Sequence, residues 1–211
     1  MREFADSLKN KLSTILPGVI AQNKMLPSMR LPDELLDKNR TANRKHGAVL
    51  ILLYEKDKNL HTCFIKRAED GGTHSGQIGL PGGKHEQNDE NCIQTALREA
   101  EEEIGINSCD VEVLGELTKL YIPVSNYSVL PVVGKLDYEP FFIPNKSEVN
   151  FVIEAKISEL IDEKNLKIKE FNPHSMKITA PCFALNGHLI WGATAMIISE
   201  FLEVIKDIRI S

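Results

Sequence analysis

One stretch limits what this chain can become more than any other: Gly82 to Ile106, GGKHEQNDENCIQTALREAEEEIGI. A glycine pair opens it, an Asp/Asn-rich turn follows, and a helix is expected from about Glu90 to Ile104, ending at Gly105. Successive helical residues turn by about 100°. Ile93, Ala96, Leu97, Ala100 and Ile104 therefore form one apolar stripe, while Glu99, Glu102 and Glu103 gather roughly opposite. Arg98 lies beside Glu102, and Glu101 points away to water. Asp89 or Asn91 can cap the start, and Gly105 suits the left-handed residue that ends a helix.

Carboxylates crowded on one face repel unless a cation joins them. Hard divalent ions such as Mg²⁺ take oxygen ligands and commonly share them with substrate phosphates. Glycines next to such a cluster let backbone approach a phosphate. The combination reads as a metal–pyrophosphate site. A solvated acidic face on an amphipathic helix is the competing reading; the fixed distance from Gly82-Gly83 and the preceding Arg98 weigh against it.

Arg98 to Ile106, REAEEEIGI, is a full match to the second half of the signature box of Nudix hydrolases, and the chain resembles that family. Five residues separate Gly83 from Asp89, as is common there, but eight rather than seven separate Asp89 from Arg98. That extra residue resembles the coenzyme A pyrophosphatase branch. So does the preceding segment: FIKR at Phe64–Arg67, then Gly76, then LPGG at Leu80–Gly83, with His74, Ser75, Gly76 and Gln77 matching a frequent HxGQ form. IWGATA at Ile190–Ala195 is similar to the same branch. The branch's serine, second arginine and phenylalanine are here Ala68, Gly72 and Leu80. Gly72 removes a guanidinium suited to phosphate.

The resemblance implies an α/β fold of mixed α+β character: a Nudix-type α/β/α sandwich with a mixed β-sheet and a loop–helix–loop catalytic motif at its edge. It implies Glu99, Glu102 and Glu103 as ligands of Mg²⁺ or Mn²⁺, and Arg98 as the partner that orients Glu102. Gly82 and Gly83 would bring backbone to metal or phosphate. Water activated by the metal would attack a phosphorus of the diphosphate, with Glu102 or Glu148 accepting its proton. Arg67 at a strand end would bind phosphate or pair with an acid, and His74 and Gly76 are candidates for contact with substrate. The substrate implied is coenzyme A or an acyl derivative, giving phosphopantetheine and adenosine 3′,5′-bisphosphate. Another nucleoside diphosphate derivative such as ADP-ribose is the nearest alternative. An inactive nucleotide-binding sensor is a third, disfavoured by the intact glutamate set.

The bulk of the chain agrees with a small-molecule enzyme. Its 211 residues suit one domain with a sizeable core. A net charge of −5 argues against a nucleic-acid partner. Cys63, Cys92, Cys109 and Cys182 form no CxxC pair and read as reduced thiols, two or more of them buried. No signal peptide or membrane-length apolar run is visible, so a cytoplasmic location is expected.

Along the chain, Phe4, Leu8, Leu12 and Ile15 mark a helix over residues 2–15, stopped by Pro17-Gly18. With the lead-in it forms an N-terminal unit, residues 1–45, packed on the domain of residues 46–211 or on a second copy in a homodimer. A short helix is expected near Asp33–Asp37. Ala48–Tyr54 and Leu60–Arg67 form a hairpin, and Val111–Ile122, Val129–Leu136 and Val149–Ala155 further strands. Ser158–Asp162 is a helical turn, Leu166–Lys169 and Met176–Leu185 are extended, and Asn186-Gly187 turns the chain into His188–Trp191. Ala193–Ile208 closes it as an amphipathic helix, with Trp191 read as core.

Overall fold

The computed structural model describes residues 1–28, 43–69, 76–172 and 177–209. The helix expected near Asp33–Asp37 lies outside them.

The fold is built around β1 (Lys45–Lys56). Its apolar run is continuous because both faces are covered. Ala48, Leu50, Leu52 and Tyr54 face one core together with Ala96, Ala100 and Ile104 of the box helix. Ile51 and Leu53 face a second core containing Leu8, Ile198 and Phe201. β1 turns back antiparallel into β2 (Asn59–Arg67) through Asp57 and Lys58, both at positive φ (50° and 58°). Such a two-residue turn matches the strand twist.

Further strands complete the large sheet. β3 (Ile78–Gly79) pairs with β2, and β4 (Gly82–Lys84) pairs antiparallel with Gly47–Val49 at the start of β1. β5 (Glu112–Glu116) and β6 (Leu120–Ile122) both pair with β7 (Tyr127–Lys135), which runs parallel to β1. β8 (Val149–Lys156) lies antiparallel on β2. The sheet is therefore mixed, as expected. A separate three-stranded antiparallel sheet holds β9 (Leu166–Phe171), β10 (Ile178–Leu185) and β11 (His188–Trp191). A single sheet was expected. Phe183, Leu185 and Ile190 instead join the core shared with the last helix, which draws these strands off the main sheet.

The helices in order are α1 (Arg2–Leu12), α2 (Gly18–Gln22), α3 (Cys92–Ile104), α4 (Ile157–Ile161) and α5 (Gly192–Ile205). α3 covers one face of the sheet, and α1 and α5 pack on the other. α1 is shorter than its apolar pattern predicts. It ends at Leu12, leaving Ile15 99% exposed, and Pro17 caps α2 rather than closing α1. The strand expected over Val111–Ile122 is broken between Glu116 and Leu120. There the Thr118 N–H leaves the ladder and donates to Glu200 Oε1 at 3.2 Å. All four cysteines are free, with Cys63 and Cys182 buried. Among the described residues no helix is long and apolar enough to cross a membrane.

Candidate active site

α3 begins on Asn91, whose side chain accepts the Gln94 N–H at 3.0 Å, and ends on Gly105 at φ 71°. Both caps match the expectation, and they fix the phase of the helix against β4. Glu103 is the side chain most committed to this edge, with a relative exposure of 1%. Its Oε2 accepts the Gly82 N–H at 2.7 Å. Its Oε1 is buried with no hydrogen bond and lies 3.5 Å from Arg67 Nη2, near enough for charge attraction only. Arg67 spends that nitrogen on the Gly82 carbonyl instead, at 2.8 Å.

A buried carboxylate without full partners resists ionisation. Burial pushes the Glu103 pKa up to about 7, outweighing the pull of Arg67 and of the Gly82 amide; the charges of Glu99 and Glu148 push it further up. Glu99 is also raised, chiefly by burial, which Arg98 opposes and Glu102 and Glu148 reinforce. Glu148 is exposed, and its own carbonyl accepts the Ala68 N–H at 2.8 Å, tying its loop to the end of β2.

The two glycines work differently. Gly82 sits at φ 148°, and a Cβ there would meet the Ala48 carbonyl oxygen at 2.3 Å. A Cβ on Gly83 would lie 2.4 Å from the Glu99 carboxyl carbon. Backbone cannot yield, whereas the end of a glutamate can. Gly82→Ala is therefore expected to destabilise the fold. Gly83→Ala should keep its melting temperature but push Glu99 aside, with activity falling by about 10²-fold. Parallel thermal melts and rate assays check both; equal melting temperatures for the two variants would contradict this division.

Arg98 organises the start of the same face. Its Nε and Nη2 bind Asp89 Oδ1 and Oδ2 at 2.9 and 3.1 Å, a bidentate pair. Nη1 reaches Glu102 Oε2 at 3.0 Å, the expected ion pair, and Nη2 also reaches Glu99 Oε1 at 3.0 Å and the Lys84 carbonyl at 3.1 Å. Arg98 holds Asp89 well below the usual carboxylate range. The Thr95 hydroxyl donates to Asp89 as well, at 2.9 Å. The sequence offered Asp89 as a helix cap and as the acidic residue five positions beyond Gly83; its pairing with Arg98 was not foreseen.

The structure thus brings Arg67, Gly82, Gly83, Glu99, Glu103 and Glu148 to one edge, with Arg98 anchoring Glu99 and Glu102. The three glutamates differ in depth: the Glu102 side chain is 54% exposed. Gly76 sits at φ 65°, its carbonyl bonded by the Lys66 ammonium. His74 and Gly72 lie outside the described residues.

A hard divalent cation suits the donors present. Glu103 offers a buried oxygen with no hydrogen bond, and Glu99 stands beside it with its ionisation likewise disfavoured. Among the described residues, no three acidic, histidine or cysteine side chains converge closely enough to cage an ion. A cation here would complete its shell with oxygens from water or substrate, as Mg²⁺ commonly does.

The model of the NUDIX domain matches residues 44–179, well over half of the chain. The chain belongs to the Nudix family. It is 36% identical over 168 residues to Nudix hydrolase 22, chloroplastic, of Arabidopsis thaliana, covering 76% of this chain and 55% of that protein. The chain thus spans little more than half the length of that relative. It is 32% identical to an uncharacterized Nudix hydrolase, NudL, of Photorhabdus laumondii, covering 80% of this chain and 89% of the other. Its fold resembles the crystal structure of RenU, a Nudix hydrolase from M. smegmatis, with a TM-score of 0.53 at 17% identity, covering 80% of this chain and 89% of that one. Nudix hydrolases generally use divalent metal ions. The Nudix helix is α3, and the loops flanking it carry Gly82-Gly83 and Gly105, the loop–helix–loop arrangement expected from the sequence.

Proposed function

We propose that this Nudix protein hydrolyses the diphosphate of coenzyme A or an acyl derivative. The observation that carries the hydrolase reading is the buried Glu103 beside the half-buried Glu99, packed against Gly82-Gly83, with one Glu103 carboxylate oxygen left for a cation. The register of Arg67, Gly76 and LPGG with the coenzyme A pyrophosphatase motif supports the substrate. Glu99, Glu103 and, at the surface, Glu102 would hold Mg²⁺ or Mn²⁺. The ion when bound would lower the pKa of water and offset charge on the leaving oxygen.

The chain's own residues divide the remaining work. Arg98 fixes Glu99 and Glu102. Arg67 keeps the Gly82 carbonyl in place and offers its guanidinium to the edge where a phosphate would lie. Glu148, exposed and close enough to oppose ionisation of Glu99 and Glu103, suits acceptance of the attacking water's proton better than Glu102, whose carboxylate is bonded to Arg98. The products would be (acyl-)phosphopantetheine and adenosine 3′,5′-bisphosphate. Free thiols at all four cysteines suit a reducing compartment such as the cytoplasm.

A panel of coenzyme A, 3′-dephospho-coenzyme A and ADP-ribose, with products identified, tests this reading. Coenzyme A should be cleaved with added Mg²⁺ or Mn²⁺ and not in excess chelator, and the ion should raise the melting temperature. Cleavage of ADP-ribose alone would move the substrate to another nucleoside diphosphate derivative. Undiminished cleavage in chelator would end the metal assignment.

A further inference from the structure

Away from α3, the three-stranded sheet carries a second constellation. Alternation along β9 puts Lys167, Lys169 and Phe171 on one face. On β10, Cys182 stands in register with Lys167 on one side and Trp191 on the other, so all of them share that face. The Phe171 and Trp191 rings stack, with centroids 4.4 Å apart and planes 16° apart, and both residues remain partly exposed. Lys167 and Lys169 are exposed. Among the described residues neither lysine side chain has an ion-pair or hydrogen-bond partner.

This face connects to the catalytic edge by short steps. Trp191 leads directly into α5, where the Thr194 hydroxyl donates to the Ile78 carbonyl at 3.2 Å. Ile78 lies in β3, which pairs with β2 beside Arg67 and continues through Leu80-Pro81 to Gly82. A half-open ring pair can extend its stack with a flat heterocycle, and two unpaired ammonium groups favour a phosphate next to it.

We propose that Phe171, Trp191, Lys167 and Lys169 form a subsite for the nucleoside end of the substrate, the rings taking the purine and the lysines a phosphate monoester on its ribose. The assignment rests on the reading above, in which the leaving half is adenosine 3′,5′-bisphosphate. It also gives that phosphate the cation which Gly72 does not provide.

Trp191 is the chain's sole tryptophan, so its fluorescence reports this face directly. The full chain, titrated in chelator with adenosine 3′,5′-bisphosphate, should show saturable quenching. In the double variant Lys167→Gln/Lys169→Gln, binding should weaken about tenfold, the scale of a solvent-exposed charged contact. Adenosine 5′-monophosphate should bind the wild type more weakly and respond little to the double variant. Absence of quenching, or equal binding by wild type and double variant, would overturn the subsite. Coenzyme A hydrolysis measured alongside separates the two ideas. Lysine-dependent quenching without coenzyme A cleavage keeps the subsite and removes the substrate reading; cleavage with an unchanged KM in the double variant does the reverse.

Discussion

Glu103→Gln is expected to lower kcat by about 10³-fold while making the metal-free protein more resistant to unfolding above neutral pH. The substitution keeps the side chain's shape and its bond from the Gly82 N–H, and removes the charge a cation would use. The stability effect follows from the carboxyl's environment. Its folded pKa of about 7 lies above the ordinary 4.5 because burial dominates. A group with a raised folded pKa binds more protons when folded, so its contribution is complete below the unfolded value and is lost as pH rises through the folded one. A tenfold difference in proton affinity between the folded and unfolded chain corresponds to ~1.4 kcal/mol, so wild type in chelator should lose about 3 kcal/mol between roughly pH 4.5 and pH 8 from this residue. Glutamine does not titrate, and that component of the slope should vanish. Glu101→Gln is the control: Glu101 is exposed, accepts the Ser108 N–H at 3.3 Å, and should leave both rate and slope unchanged. Denaturant melts across pH, with rates on the same samples, check this. Parallel slopes for wild type and Glu103→Gln would mean that the buried oxygen is not the stressed group it is taken to be.

What could be read from the sequence was whatever a residue's own element dictates. The continuous run in β1 announced a strand covered on both sides, and Asn186-Gly187 announced its hairpin, with φ of 49° and 80°. The caps Asn91 and Gly105 fixed α3 to within two residues. What could not be read depended on partners distant in sequence. A helical wheel gathers Glu99, Glu102 and Glu103, but only the position of β4 decides that Glu103 is buried and Glu102 stays wet. Ile15 continues the α1 stripe on paper, yet the chain leaves the helix at Ser13, so the pattern outran the backbone. The separate sheet β9–β10–β11 was hidden for the same reason. Strand signals do not say which sheet a strand will join. Glu200 was missed although it carried a signal: it falls between Ile197, Phe201 and Val204 on the apolar stripe of α5, where an exposed glutamate has no place.

Glu200→Ala is expected to cost about 4 kcal/mol of stability and lower the melting temperature by about 10 °C, with little change in the activity of the molecules that remain folded. Glu200 is 0% exposed. Its Oε1 accepts the Gly18 N–H at 3.1 Å and the Thr118 N–H at 3.2 Å, and its Oε2 accepts from Gln22 Nε2 at 2.8 Å. Gln22 donates also to the Thr118 carbonyl at 3.0 Å, and the neighbouring Ser199 hydroxyl to the Ala21 carbonyl at 2.8 Å. One side chain thereby joins α2, the break between β5 and β6, and α5. Alanine would strand two backbone N–H groups and an amide in a dry interior and leave a cavity besides, and buried donors without acceptors cost far more than a hydrogen bond yields. Glu200→Gln should cost much less. Its remaining oxygen can keep the two backbone donors, so the loss is confined to the contact with Gln22, whose amide keeps its bond to the Thr118 carbonyl. The network lies across the sheet from Glu103, so kcat per folded molecule should hold in both variants. Thermal melts of the two variants beside wild type decide the point. If Glu200→Ala melts within about 2 °C of wild type, water has entered to satisfy the donors and the buried junction is not what holds these three segments together.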